Sequence, residues 1–182
     1  MLVIQIDETE LFDDVTQIFS HINKQTLHLE HSLISISKWE ANWNKPFLNN
    51  QTQTIDEFRD YVKCMTLDKN VDETAYLCLS VKNIKEIQNY IDAPMTATKF
   101  FDSNKKKSVG TSKRITSELI YYWMITFNIP FECEKWHLNR LMTLIKICQN
   151  ENQPREKTSQ KAKANNYAAI NAARRKALNT HG

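Results

Sequence analysis

Glycine is scarce in this sequence, and the scarcity argues against whole classes of site. Only Gly110 and Gly182 occur among 182 residues. Loops that hold the phosphates of a nucleotide depend on glycine, because its missing side chain lets the backbone come close to the ligand. No glycine-rich phosphate-binding motif is present. The sequence therefore argues against a nucleotide-binding protein.

Long apolar runs and closely spaced cysteines are also missing. The stretch MLVIQIDETELF has no basic segment followed by a long apolar run, so we expect no secretory signal, and no segment is apolar enough to predict a membrane span. Four cysteines lie far apart in the chain, and a disulfide framework is the less favoured interpretation at this length. We expect reduced cysteines and a cytoplasmic protein. The cysteines are Cys64, Cys78, Cys133 and Cys148.

The patterns that are present predict a mainly α (α+β) fold. With 41% hydrophobic and 25% charged residues, the chain is long enough for one globular domain, which we place at residues 1–150. Apolar residues alternate with other residues over 2–6 and again over 27–30, as in two short strands. We expect these strands to pair as a small antiparallel β-ribbon, with residues 8–24 between them.

Helical periodicity begins after the ribbon. Spacings of three and four predict a helix that begins after Ser32 and ends before Asn44, and two more helices capped by Thr54 and Ser80. A shorter helix is expected over residues 73–79. The apolar stripes of the three longer helices are Leu33, Ile36, Trp39 and Trp43; Phe58, Tyr61, Val62 and Met65; and Val81, Ile84, Ile87 and Ile91.

The densest aromatic and aliphatic segment is residues 115–149. Two apolar stripes are separated by Pro130, which has no N–H and disfavours helix in the preceding residue. We predict an aromatic helical hairpin here, around which the rest of the chain packs. The stripes are Leu119, Tyr122, Trp123 and Thr126 in the first helix, and Trp136, Leu141, Leu144, Ile145 and Cys148 in the second.

Two segments are basic. Residues 98–114 include Lys105, Lys106 and Lys107, and we interpret them as an exposed loop, because a lysine run in a loop is more often simply solvated. Residues 151–182 carry seven lysines and arginines against two glutamates, so the basic balance of the whole chain resides in this part. We predict a basic, partly ordered helical tail over 151–182, suited to an acidic partner surface.

No arrangement of residues predicts catalysis, a cofactor or a metal. Cys133 and His137 are four apart on a predicted helix, but zinc needs two further ligands and none is nearby. His28 and Glu30 share one face of a strand while His31 points the other way, so these three cannot converge. The sequence contains no Gly-x-Ser-x-Gly motif. We therefore expect a protein without enzymatic activity.

The large aromatic residues suggest a core or a surface for partners. Tryptophan serves in both places, and for most of these residues, Trp136 included, the core is the favoured interpretation. Trp39 and Trp43 are the predicted exceptions, because polar neighbours such as Asn42 and Lys45 indicate a boundary position. The candidate partner-binding residues are Trp39, Trp43, Trp136, His137, Arg140, Arg174, Arg175 and Lys176.

Five stretches carry a resemblance that covers nearly the whole chain. The chain resembles a family of small proteins encoded in the structural-gene clusters of bacteriophages, which look like tail assembly chaperones of long-tailed phages. Trp136, Arg140 and Leu141 are similar to part of a tryptophan-containing helix near the end of such chaperones. The stretches are HSLISISKWEANWNKPFL, DYVKCMTL, PMTATKF, SELIYYWMITFNIPFECEKWHLNRLMTLIKIC and NAARRKALNT.

The resemblance implies a non-enzymatic chaperone that binds the tape measure protein and recruits tail tube subunits. It implies a location in the host cytoplasm during infection and absence from the mature virion. One alternative is a structural virion component, such as a baseplate, neck or tail protein. Another is a nucleic-acid-binding module that uses the basic loop and tail, with nucleic acid the less favoured partner. A homo-oligomer is a further alternative.

Overall fold

The computed structural model describes residues 1–13, 17–48, 54–100, 114–152 and 160–178. Within them the chain is mainly helical, with a β-ribbon at the start and an aromatic cluster, as the sequence predicted. It forms two units, Met1–Cys148 and Gln149–Gly182. The central residues of the lysine-rich loop, Lys105, Lys106 and Lys107, lie outside the described residues.

The predicted β-ribbon is confirmed. Strands β1 (Leu2–Ile6) and β4 (Gln25–Leu29) pair antiparallel, with Ile4 opposite Leu27. The segment between them was expected to be a connection only, and here the structure differs. Strands β2 (Thr9–Asp13) and β3 (Ile18–Ile22) pair as a second antiparallel ladder. Neither strand alternates strictly between apolar and polar residues, so the period of two that marks a half-buried strand is missing.

Three helices follow, each begun by a side-chain cap, and the predicted caps at Thr54 and Ser80 are confirmed. Helix α1 (Leu33–Trp43) begins with Ser32, and α3 (Val81–Asp92) begins with Ser80, whose hydroxyl accepts from the Asn83 N–H. In α2 (Ile55–Met65), Thr54 and Glu57 cap each other in a reciprocal pair. A short 3-10 helix, Glu73–Cys78, stands where a short helix was predicted.

The aromatic segment contains the two predicted helices, α4 (Ser117–Thr126) and α5 (Leu138–Asn152). Between them Asn128 adopts a φ of 52°, and a short 3-10 helix, Phe131–Lys135, follows Pro130. Helix α5 therefore begins after Trp136, later than the sequence suggested. The main packing partner of α4 is α1 rather than α5. Helix α6 (Gln160–Leu178) belongs to the second unit, and its side chains from Tyr167 to Leu178 are exposed.

Trp39 lies in the core of the first unit, and the prediction of a boundary position for it is wrong. Its side chain is 0% exposed. Its indole Nε1–H donates to the Glu57 carbonyl at 2.8 Å, and its ring meets Phe47 edge-on at 5.2 Å. The residues after α1 turn back at Asn44, which adopts a left-handed φ of 52°, so that Phe47 covers the ring. Polar neighbours in the sequence could not reveal this cover.

Strand β4 and its continuation to Ser32 form the central segment of this unit. Beyond its pairing with β1, its backbone bonds to two distant parts of the chain. The Glu30 N–H donates to the Met65 carbonyl, and the Leu67 N–H donates to the His28 carbonyl, both at 2.9 Å. The His31 carbonyl accepts from the Leu138 N–H at 2.7 Å. These bonds join the ribbon to the end of α2 and to the beginning of α5.

The different burial of two tryptophans generates a stability prediction. Trp39→Ala should lower the free energy of unfolding by about 3–5 kcal/mol, because the substitution leaves a large cavity in the core. Trp136 is only half-buried, so Trp136→Ala should cost about 1–2 kcal/mol. Urea denaturation of both variants measures the difference. Equal losses would show that Trp136 contributes to the core as much as Trp39 does.

Candidate protein-interaction surfaces

Helix α4 is rich in apolar and aromatic residues, and some of these lie on the side that faces solvent. Its sequence SELIYYWMIT contains a single charged residue, Glu118. Ile120 and Met124 are fully buried, whereas Tyr122 and Ile125, on the opposite side, are each 61% exposed. A helix that is hydrophobic all round is normally buried on all sides. Tyr122 and Ile125, with Glu118 beside them, form what we call the outer face of α4, an apolar surface without a described partner.

One buried carboxylate holds α4 in place. Glu40, on α1, is 8% exposed, and its two oxygens accept from different segments. Oε2 accepts from the Ser117 N–H at 2.7 Å, and Oε1 accepts from the Phe47 N–H at 2.8 Å. Thr116 makes no side-chain cap of its own, so the carboxylate of a neighbouring helix satisfies this N–H and opposes the positive end of the α4 dipole. The sequence analysis missed Glu40, because no local pattern links it to residue 117.

A second contact fixes the segment after α4. The Tyr121 hydroxyl donates to Glu134 Oε2 at 2.9 Å, which ties the 3-10 helix Phe131–Lys135 to α4. Burial, and then this carboxylate, raise the pKa of Tyr121 to about 12. Phe131, in the same 3-10 helix, is 55% exposed. Exposed apolar side chains therefore lie on both α4 and the 3-10 helix Phe131–Lys135, and the hydrogen bond from Tyr121 to Glu134 connects these two segments.

Trp136 and Arg140 form the wall of a separate cleft. The Arg140 guanidinium lies 4.1 Å from the centre of the Trp136 ring, in cation–π contact with it. The cleft has a volume of about 330 Å³ and also includes Lys135 and Tyr90. Three of the predicted partner-binding residues, Trp136, His137 and Arg140, therefore line one cleft.

His137, predicted as another partner-binding residue, lines the same cleft and also connects α3 to α5. It is 7% exposed, and its Nε2–H donates to the Tyr90 carbonyl at the end of α3. Its Nδ1 accepts from the Asn139 N–H at 3.3 Å, at the beginning of α5. Both ring nitrogens are therefore in use, which requires a neutral imidazole. Burial lowers the pKa of His137.

His31 and His137 stack edge to face inside the unit, with ring centres 5.0 Å apart. The His31 Nδ1 shares a hydrogen bond with the Tyr61 hydroxyl, and the side chain is 2% exposed. Burial, followed by the nearby His137, lowers the pKa of His31 to about 3. One of these two uncharged histidines, His137, lines the cleft, and neither can accept a proton without disturbing the fold.

The remaining predicted partner-binding residues differ in their surroundings. Trp43 is half-buried, at the boundary position predicted for it, and its Nε1–H donates to Asp60 Oδ2 at 2.9 Å. Arg174, Arg175 and Lys176 are exposed near the end of α6, in the other unit. Trp39 is enclosed by the core and cannot contact a partner while the protein is folded.

The weak metal patterns of the sequence do not assemble in the described part of the chain, where no three His, Cys, Asp or Glu side chains form a metal-binding group. His137 has both nitrogens engaged, so it is not free to join Cys133 as a ligand. His28 bonds instead to Asp68 Oδ1 at 2.9 Å, and Glu30 accepts from the Tyr90 hydroxyl at 2.6 Å. The pKa of the Cys133 thiol is raised by burial, which disfavours the thiolate form that binds metals.

Comparison of the chain with models of protein families, with curated proteins and with solved structures finds no match. Among the described residues, no helix is long and apolar enough to cross a membrane.

The double role of Glu40 can be tested by a nearly isosteric substitution. Glu40→Gln should cost about 1–3 kcal/mol of stability, because an amide offers one oxygen to two N–H donors and leaves one unsatisfied. Hydrogen exchange of the Ser117 amide should become faster. The exposed Glu132→Gln is the matched control and should have little effect. If both variants have the same free energy of unfolding, the hydrogen bonds that Glu40 accepts do not stabilise α4.

The buried histidines predict a loss of stability in acid. In the unfolded chain their pKa is near 6.5, so below this pH the unfolded state binds more protons than the folded state. Stability should therefore fall as the pH drops below about 6.5, by up to about 1.4 kcal/mol per pH unit for His31, whose pKa in the folded protein is about 3, and His137 should act in the same direction. Urea unfolding between pH 7.5 and 5 measures this slope.

A matched pair of variants assigns that slope. His31→Gln removes a buried titrating group and should flatten the dependence on pH. Asn23→Gln, at an exposed position that does not titrate, is the control and should leave the dependence unchanged. An unchanged slope in His31→Gln would show that His31 is not a source of the acid sensitivity.

Proposed function

We propose that this protein is a non-enzymatic assembly chaperone of a long-tailed bacteriophage, which binds the tape measure protein and helps to recruit tail tube subunits. The observation that supports the proposal most strongly is the outer face of α4, where Tyr122 and Ile125 are each 61% exposed on an otherwise apolar helix. The resemblance of the sequence to tail assembly chaperones supplies the biological setting.

The physical basis of the proposal is the match between two apolar helical surfaces. A tape measure protein is a long helical chain, and before assembly its apolar faces are exposed to water. A firmly held apolar helix on a chaperone can cover such a face. Burial of a side chain such as Ile125 is worth about 1.5–3 kcal/mol, so a few such contacts give reversible binding. Reversibility suits a protein that must leave before the tail is complete.

Helix α6 supplies the second contact in this proposal. Arg174, Arg175 and Lys176 are exposed and adjacent, and the described helix contains no acidic residue. A basic helix of this kind attracts an acidic surface on a second partner, which in this scheme is the tail tube subunit. Such attraction accelerates the encounter and weakens as the salt concentration rises.

A tail assembly chaperone and a structural tail component differ in where they are found after assembly. A chaperone acts in the host cytoplasm during infection and is absent from finished particles, whereas a structural tail component remains in them. An affinity pulldown of the tagged full chain from infected cells, with mass spectrometry of purified virions from the same infection, separates these functions. Tape measure protein in the pulldown and no chain in the virions is the expected result. Stoichiometric chain in the virions would instead make it a structural component.

A matched pair of surface variants tests the role of α4. Ile125→Asp places a charge on the outer face and should weaken capture of the tape measure protein by at least about tenfold, while the fold is retained. Val81→Asp is the control, because Val81 is 69% exposed on a different helix. Circular dichroism and quantitative pulldown of both variants are the measurements. Equal capture by the two would exclude the outer face of α4 as the binding surface.

A further inference from the structure

The cleft beside Trp136 has the size and lining of a recognition site. Its volume is about 330 Å³, enough for one or two side chains of a ligand. It lies where the end of α3, the residues before α5 and the first turn of α5 meet. Trp136 and Tyr90 supply aromatic surface, and Met95 supplies an apolar side chain. Its location is separate from the outer face of α4.

The cleft carries two cations that no carboxylate in the described part of the chain neutralises. Lys135 and Arg140 both line it, and neither forms an ion pair with another described residue. The one carboxylate in the lining, Glu30, is already engaged. It accepts from the Tyr90 hydroxyl at 2.6 Å, and the Met1 amine lies 2.8 Å from its other oxygen. The unpaired charge in the cleft is therefore positive.

Two features of the lining are ordered in advance. The Arg140 guanidinium lies 4.1 Å from the centre of the Trp136 ring, and a guanidinium held by such a contact can still donate its N–H groups to a planar anion. Met95 adopts a φ of 47°, in the left-handed region that a residue with a long side chain rarely occupies. Strained backbone of this kind occurs often at sites that bind ligands.

We propose that this cleft binds an acidic peptide segment of a partner protein, with a carboxylate against Lys135 and Arg140 and an apolar neighbour against Trp136 and Met95. This inference goes beyond the proposed function and does not depend on it. A nucleic acid is a poorer fit, because phosphate binding is stronger where many cations share an open surface, and this small cleft offers two unpaired cations beside a carboxylate.

The direct test is a titration of the full ¹⁵N-labelled chain with a short peptide, acetyl-Leu-Glu-Glu-Leu-amide, followed by NMR. The indole N–H signal of Trp136 should shift and saturate, with a dissociation constant of about 1 mM or tighter. Binding should weaken when the salt concentration rises from about 50 to 300 mM, because added ions screen the charges. The same peptide with glutamine in place of glutamate should bind at least about tenfold more weakly.

Variants assign the binding to the cleft. Lys135→Gln and Arg140→Gln should each lower the affinity for the glutamate peptide by at least about fivefold. Lys85→Gln removes the same charge at an exposed position outside the cleft and should leave the affinity within about twofold. Ile125→Asp, on α4, should leave peptide binding unchanged, so failure of the chaperone proposal would not be mistaken for failure of this one.

Three results would overturn the inference. One is no shift of the Trp136 signal at about 5 mM peptide, well above the expected dissociation constant. Another is equal binding of the glutamate and glutamine peptides, which would show that the carboxylate is not recognised. The third is tighter binding of a hexathymidylate oligonucleotide at the same signals, which would assign the cleft to phosphate instead.

Discussion

The fold of the first unit depends on backbone pairing along both edges of one short segment, residues 28–32. One edge of β4 pairs with β1, and the other bonds to Met65 and Leu67 at the end of α2. The chain then continues through His31, whose carbonyl accepts from Leu138. Each of these bonds satisfies a polar group that would be costly to bury alone. Residues separated by more than a hundred positions are held together here, and the helices take their places around them.

His137 links this framework to the cleft. Its backbone forms a β-bridge with Ser32, and its ring joins the end of α3 to the beginning of α5. Asn139 adds two further bonds, to the carbonyls of Ile91 and Ala93, so the final carbonyls of α3 are satisfied by side chains of α5. His137, which lines the cleft, therefore also belongs to the hydrogen-bonded contacts that hold α3 and α5 together. The sequence suggested His137 as a contact for partners, and in the structure its imidazole also forms hydrogen bonds that connect α3 to α5.

Much of the fold could be predicted because its signals are local. Helix caps at Thr54 and Ser80 and the alternation in β1 and β4 depend on neighbours within a few residues. The prediction for Trp39 was wrong, because burial depends on distant segments. Phe47 returns over Trp39, while Trp136 packs against the core and stays partly exposed. The hydrogen bond between Glu40 and the Ser117 N–H joins residues that are 77 positions apart, so no local sequence pattern could reveal it. Among the residues that line the cleft, the sequence singled out Trp136, His137 and Arg140 as partner-binding candidates, but not Lys135, Tyr90 or Met95.

Asparagine occupies two helix ends where glycine is common in other proteins. Asn44 ends α1 and Asn128 follows α4, each with a left-handed φ of 52°. Glycine would reach this conformation without steric cost, but it would also give the unfolded chain many more conformations to lose. Asparagine tolerates the left-handed region and leaves the unfolded chain stiffer. The two turns that direct the chain away from α1 and α4 therefore lose less conformational entropy on folding than glycine turns would. The scarcity of glycine thus restricts the conformations of the unfolded chain as well as those of the folded one.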